Sequence, residues 1–287
     1  MVITSSLGLI SLLQLAIGPM AMPMSPAPPA RAAVALRTPI TRVATDQPKV
    51  AITFDACATR TQDNGFDRPI FDLLRAEKVP ATIFVSGRWV ETHPDAMDAL
   101  AAESLIEFGD HSYDHPHMRH LTPARIGEEI DQTEAALSRY GKKSVAFRPP
   151  FGEWSARVLD VLHDRKLPAV LWDVVSGDPS ASVTADEMTR TVLRKTKPGS
   201  IVIFHINGRA RRTAEALPGI LRELRARGLR FVHLSELLAE APPVGVTPPP
   251  LLASPLVPAG ADATALQNLG PDDPMPLAGD GISLEGD

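Results

Sequence analysis

With 287 residues, 44% of them hydrophobic, the chain is long enough for one large α/β domain and too apolar to be mainly disordered. A formal net charge of −5 excludes a general nucleic-acid binder, which needs a basic surface to neutralise phosphates. The acidic excess sits at the C-terminal end, where Asp262, Asp272, Asp273, Asp280, Glu285 and Asp287 occur beyond Ala241 without a single Lys or Arg.

The chain opens on a largely apolar run, Ile3 to Met22, followed by Pro- and Ala-rich sequence and Ala30-Arg31-Ala32-Ala33. An apolar core ahead of a small-residue site predicts a secretory signal peptide. No basic residue precedes the run, so an uncleaved membrane anchor and a misassigned start stay open. Residues 1–33 are therefore read as signal peptide or anchor, and the protein as exported, periplasmic or extracellular. A membrane is a partner only if this segment is retained. The interior has no apolar run of the ~18–20 residues that span a bilayer. Cys57 is the only cysteine, so no intrachain disulfide forms and cysteine usage does not decide the compartment.

Residues 34–47 read as a linker, 48–240 as a single ordered domain, and 241–287 as a disordered tail rich in Pro, Ala and Gly without an aromatic anchor. Within the domain, short apolar β-branched runs predict strands at Val50–Phe54, Ala81–Val85, Leu105–Phe108, Val145–Phe147, Ala169–Leu171, Ile201–Phe204 and Leu229–His233. Helical periodicity alternates with them at Pro69–Lys78, Pro94–Ala102, Pro123–Tyr140, Ser155–Arg165, Ala185–Lys195 and Ala210–Arg227. Such alternation means parallel strands joined by right-handed crossovers, and seven strands predict a barrel or a nearly closed sheet.

Parallel α/β folds place ligands at the carboxyl ends of their strands. Here those ends carry Thr53-Phe54-Asp55, Ser86, Asp110-His111, Arg148-Pro149-Pro150-Phe151, Trp172-Asp173 and His205. Acidic, imidazole and guanidinium groups thus recur on one rim, where bland loops would favour Gly, Asn and Ser. In Asp110-His111-Ser112-Tyr113-Asp114-His115-Pro116, two histidines four apart fall on one face of a helical turn and could share a cation. Imidazole suits zinc and similar divalent ions. Solvated or capping histidines are the plain alternative, and His117 and His120 read as surface residues. Asp55 is a ligand, a base or a structural acceptor. Arg148, ahead of two prolines, would keep a neighbouring carboxylate ionised.

In this order TFD, HSYDH, RPPFG, WDVVSGD and IVIFH resemble the five motifs of the polysaccharide deacetylases, the family 4 carbohydrate esterases. The resemblance spans about Val50 to Leu234, and EFGDHSYDHP is its most specific piece. It implies a distorted (β/α)7 barrel of parallel strands and a hydrolase that removes acetyl groups from N-acetylated, or O-acetylated, sugars of a glycan. It implies a divalent metal, zinc by its imidazole ligands, on His111 and His115, with Asp55 as general base and Arg148 holding it. His205 becomes the general acid, tuned by Asp178. Pro150, Phe151, Trp172 and Phe204 become walls of the substrate groove.

Two departures stand out. The family usually has a second aspartate after the base, as metal ligand; here Ala56 takes that place. The loop TQDNGFD is expected to supply the third ligand through Asp63 or Asp67, with Asp67 in the expected set although it also suits the N-cap of the helix carrying Pro69. A Cys57 thiolate, Asp55 itself, or weak or absent metal binding are the alternatives. In the fourth motif Pro179 follows Asp178 where the family often has a groove tryptophan, so substrate preference does not transfer. A catalytically silent carbohydrate-binding protein and a hydrolase of another small C–N amide remain the competing functions.

Overall fold

The computed structural model describes residues 38–62, 64–240 and, as backbone, 243–245. The expected leader, the expected tail beyond residue 245, and Asp63 lie outside the described residues.

The central strand is β2 (Lys49–Ala56), buried along its whole length. Parallel to it run β3 (Ala81–Val85), β6 (Ile201–His205) and β7 (Arg230–Val232), with β4 (Ile106–Asp110) beside β3 and the two-residue β5 (Val174–Val175) beside β6. Period-two alternation sorts the side chains of these strands. Val50, Ile52, Phe54, Ala56, Ile83, Val202 and Phe204 join the core cluster beneath the helices. Ala51, Phe84 and Ile201 face the other way, into the interior of the curved sheet, in a cluster with Ile40 and Val170.

The helices α1 (Arg68–Ala76), α3 (Pro94–Ala101), α4 (Pro123–Ser138), α5 (Ala156–Asp164), α6 (Ala185–Lys195) and α7 (Thr213–Ala226) fall where the periodicity puts them, within a few residues. Thr122, Ser155 and Thr184 cap α4, α5 and α6 through their side chains, and Thr184 forms a full capping box with Glu187. Two short helices, α2 (Gly87–Thr92) and α8 (Leu234–Glu240), were not legible in the apolar pattern.

Three expectations need correction. The segments around Phe147 and Ala169 are not full strands but single parallel bridges, Asp110 to Phe147 and Phe147 to Ala169, because Pro149, Pro150 and Pro168 deny the ladder its donors. The expected linker contains a strand, β1 (Ile40–Val43), whose Ile40 and Val43 are buried. Ile40 bridges Val170 and Arg42 bridges Ser200, so β1 fills the sheet between its two flanks. The expected tail begins with β8 (Pro243–Gly245), antiparallel to β1. Among the described residues no helix is long and apolar enough to cross a membrane.

Candidate active site

The site forms where the interior-facing residues reach the carboxyl ends of β2 and β6. Asp55 and His205 are register partners across these parallel strands. Asp55 is nearly buried, and Arg148, fully buried, donates from Nη1 to its Oδ1 at 2.6 Å and from Nη2 to Thr53 Oγ1 at 2.8 Å. The guanidinium also lies 3.9 Å over the Phe84 ring and 5.5 Å from the Trp172 ring. Burial alone would raise the Asp55 carboxyl, but the charge of Arg148 first, with the imidazolium of His205 and the Arg148 hydrogen bond, outweighs it and holds the group below the usual carboxylate range. Asp55 is therefore an ionised acceptor, fixed in orientation.

His205 stands opposite. Asp178, buried, accepts its backbone N–H at Oδ2 (2.5 Å) and its Nδ1–H at Oδ1 (2.8 Å). Thr213 donates to the same Oδ2 at 3.0 Å. Burial disfavours the imidazolium, yet the charge and hydrogen bond of Asp178, helped by Asp55, carry the ring's pKa above the ordinary histidine value. The ring thus keeps a proton that its Nε2 can give.

Between them lies the histidine loop. It is not the helical turn that the four-residue spacing implies: the chain leaves β4 as irregular backbone, with Ser112 at φ 63° and His115 at φ 56°. Non-glycine residues in this left-handed region are strained and need outside support. Glu129 of α4 supplies it, accepting the N–H groups of Tyr113 and Asp114 at 2.8 Å each, while Ser112 Oγ accepts from His115 N at 3.1 Å. Gly87 lies so close to this loop that a Cβ there would sit 2.3 Å from Tyr113. Asp110 turns towards α4 and accepts from Ser112 N at 2.7 Å.

The loop brings the rings of His111 and His115 to a centroid distance of 4.8 Å. His111 Nδ1 donates to the Arg148 carbonyl at 2.7 Å, which leaves the Nε2 lone pair facing the site, 3.5 Å from Asp55 Oδ2. Burial first, with neighbouring positive groups, lowers both pKa values, so both imidazoles are neutral. Cys57 Sγ completes a group of three whose ligand atoms lie within 4.8 Å of one another. Neutral imidazoles with free lone pairs beside a sulfur are a donor set that fits zinc. Burial and then the charge of Asp55 push the Cys57 thiol up to about 12, which argues against a free nucleophilic thiolate.

Asp67, expected as third ligand, is elsewhere. Its Oδ2 accepts from Gly208 N at 2.7 Å, tying the start of α1 to the loop after β6, and its side chain does not cap the helix either. Phe204, expected in the groove, faces the helices and stacks on Phe54 at 5.7 Å, since alternation sends it opposite to His205. Pro150 is buried and supports a short 3-10 turn rather than forming a surface. Phe151 at the tip of that turn is exposed, stacks on His117 at 4.2 Å and meets His115 edge-on at 4.5 Å. Trp172, partly buried, packs next to Arg148. Glu129 and Thr213 were missed in the sequence, because buried groups on helices that hold a distant loop or carboxylate carry no local pattern.

The model of the polysaccharide deacetylase family matches residues 42–170. The peptidoglycan-N-acetylglucosamine deacetylase of Bacillus cereus is 31% identical over 192 residues, covering 66% of this chain and 68% of that protein. The uncharacterized protein YlxY of Bacillus subtilis is 29% identical over 70% of this chain, which spans 61% of that protein. Among solved structures, a Bacillus anthracis pseudoenzyme of carbohydrate esterase family 4 superposes with a TM-score of 0.64 at 27% identity, covering 71% of this chain and 70% of that one. The parallel-strand fold is that of the family 4 carbohydrate esterases, a class of carbohydrate deacetylases. The chain belongs to the polysaccharide deacetylase family.

Proposed function

We propose that the protein is a metal-dependent hydrolase that removes acetyl groups from N-acetylated sugars of a glycan. The observation that carries this reading is the pair of oriented, oppositely prepared groups, Asp55 with Arg148 and His205 with Asp178, flanking the two neutral imidazoles.

A divalent ion held at His111 and His115 would supply a Lewis acid for the acetyl carbonyl and a water of lowered pKa. The rest falls to the chain's own side chains. Asp55, kept ionised by Arg148, accepts the proton of the attacking water. Arg148 stops the carboxylate from rotating away, and the Phe84 ring beneath fixes the guanidinium in turn. His205 Nε2 donates a proton to the departing nitrogen, while Asp178 holds Nδ1–H and offsets the imidazolium charge. Phe151 and Trp172 form the apolar walls, and the exposed Phe151 ring offers a face to a sugar.

The relatives' substrates include peptidoglycan N-acetylglucosamine, and that polymer is the first to test. Acetate release from N-acetylglucosamine oligomers and from peptidoglycan, with chelator and after zinc is restored, tests the reading; no acetate from any acetylated glycan in the zinc-loaded protein refutes it. We place the protein outside the cytoplasm, on the strength of its apolar N-terminal segment.

A second reading, a carbohydrate-binding protein without turnover, is favoured by Ala56 and by the likeness to a pseudoenzyme. Retention of glycan by the protein without acetate release would support it.

A further inference from the structure

We propose that Cys57 is the third protein ligand of the metal, so that one sulfur and two imidazole nitrogens hold the ion in place of the carboxylate-and-imidazole set the family resemblance implies. The inference rests on the reading of the site as a metal centre, and it changes the identity of that centre.

Strand geometry is the first argument. Cys57 follows the last residue of β2, and while Ala56 and Ala58 on either side of it turn into the helix-facing core, Cys57 stays out of that cluster and meets His111 and His115. The backbone at Cys57 is anchored accordingly. Its carbonyl accepts the amides of Asn64 (2.6 Å) and Asn207 (2.8 Å), and Ser86 Oγ holds Ala58 N at 3.0 Å.

The second argument is supply of charge. Four carboxylates near the centre are committed: Asp55 to Arg148, Asp67 to Gly208, Asp114 to Arg60 and Arg88, Asp178 to His205. Cys57 Sγ has one donor, the Asn207 amide at 3.4 Å, which is the kind of outer bond that orients a sulfur ligand. Among the described residues, the group formed by Cys57, His111 and His115 is the one set of three whose ligand atoms converge this closely. Tetrahedral zinc separates neighbouring N and S ligands by ~3.3–3.6 Å, so atoms up to 4.8 Å apart close by about an ångström of side-chain rotation.

On binding, the S–metal bond forms as the S–H bond breaks and the proton passes to solvent; coordination deprotonates a thiol outright. A thiolate contributes the same single negative charge as the absent aspartate, leaves Asp55 free to act as base, and biases the site towards zinc and cobalt over magnesium and manganese.

The test is spectroscopic. The full-length, metal-free protein is titrated with cobalt(II), and a sulfur-to-cobalt charge-transfer band in the near ultraviolet is expected at one equivalent. Cys57→Ala should abolish the band and weaken cobalt binding at least ~10-fold. Cys57→Asp should bind cobalt without the band, which keeps the assignment testable if the alanine variant fails to fold. Cobalt bound by the unaltered protein with no such band, or no cobalt bound at all, overturns the proposal. A band without acetate release from any glycan would leave the ligand in place and sink the catalytic reading instead.

Discussion

Asp178 grips His205 twice, taking the backbone N–H on one carboxylate oxygen and the ring Nδ1–H on the other. This double hold fixes the tautomer, the ring plane and the strand end together. Asp178→Asn should cut kcat/KM by ~10²–10⁴, the span associated with losing an oriented acid–base group. It should also move the basic limb of the pH–rate profile to lower pH. The sign follows from the causes: Asp178 lifts His205 against burial, and without its charge the downward influences of burial and Arg209 face only the smaller upward pull of Asp55. An unchanged basic limb would remove His205 from the role of acid.

Arg148 is buried with the carboxylate it serves. Replacing it by methionine leaves Asp55 as an unpaired buried charge, a loss on the order of 3–5 kcal/mol. Because the folded Asp55 carboxyl lies below its unfolded value, the stability it contributes is present above about pH 4 and drains away as pH falls through the folded value. Urea unfolding from pH 7 to pH 3 should therefore show a steeper acid loss in the unaltered protein than in Arg148→Met. Parallel curves would contradict the coupling.

Glu129 touches neither substrate nor metal, yet it holds two N–H groups of the strained histidine loop. Glu129→Ala should cost about 1–3 kcal/mol through the orphaned donors and weaken metal binding ~10–100-fold, as outer partners of ligands do. Isothermal titration with zinc checks the second effect separately from thermal unfolding.

Phe204 and Phe151 should separate by assay. Phe204→Leu perturbs the stack with Phe54 and should lower stability by ~1 kcal/mol with KM unchanged. Phe151→Ala removes an exposed groove face and should raise KM with little change in the unfolding midpoint.

Much of this was legible in the amino-acid order. Asp55, Arg148, His111, His115 and His205 stand at the ends of apolar runs, and the parallel fold turns sequence position into a shared rim. What failed was direction. Period two already predicts that Phe204 and His205 oppose each other, and the family pattern of adjacent aspartates drew attention to a more distant carboxylate, Asp67. The spacing of His111 and His115 was read as helical because four residues make one turn, whereas left-handed backbone at Ser112 and His115 achieves the same approach without a helix. Strands around Phe147 and Ala169 were over-read, since β-branched and aromatic content registers apolarity but not the neighbouring prolines that cut the ladder.

Strand β1 carries a practical message for anyone trimming the gene. Its Ile40 plugs a gap in the wall behind Val170, and Val43 donates its N–H to the Gly199 carbonyl at 2.9 Å. An expression fragment begun at the central strand would uncover that seam, so recombinant pieces should start ahead of residue 38 and extend past residue 245. By the same token, any protease that matures the chain must cut upstream of this staple to leave a folded product.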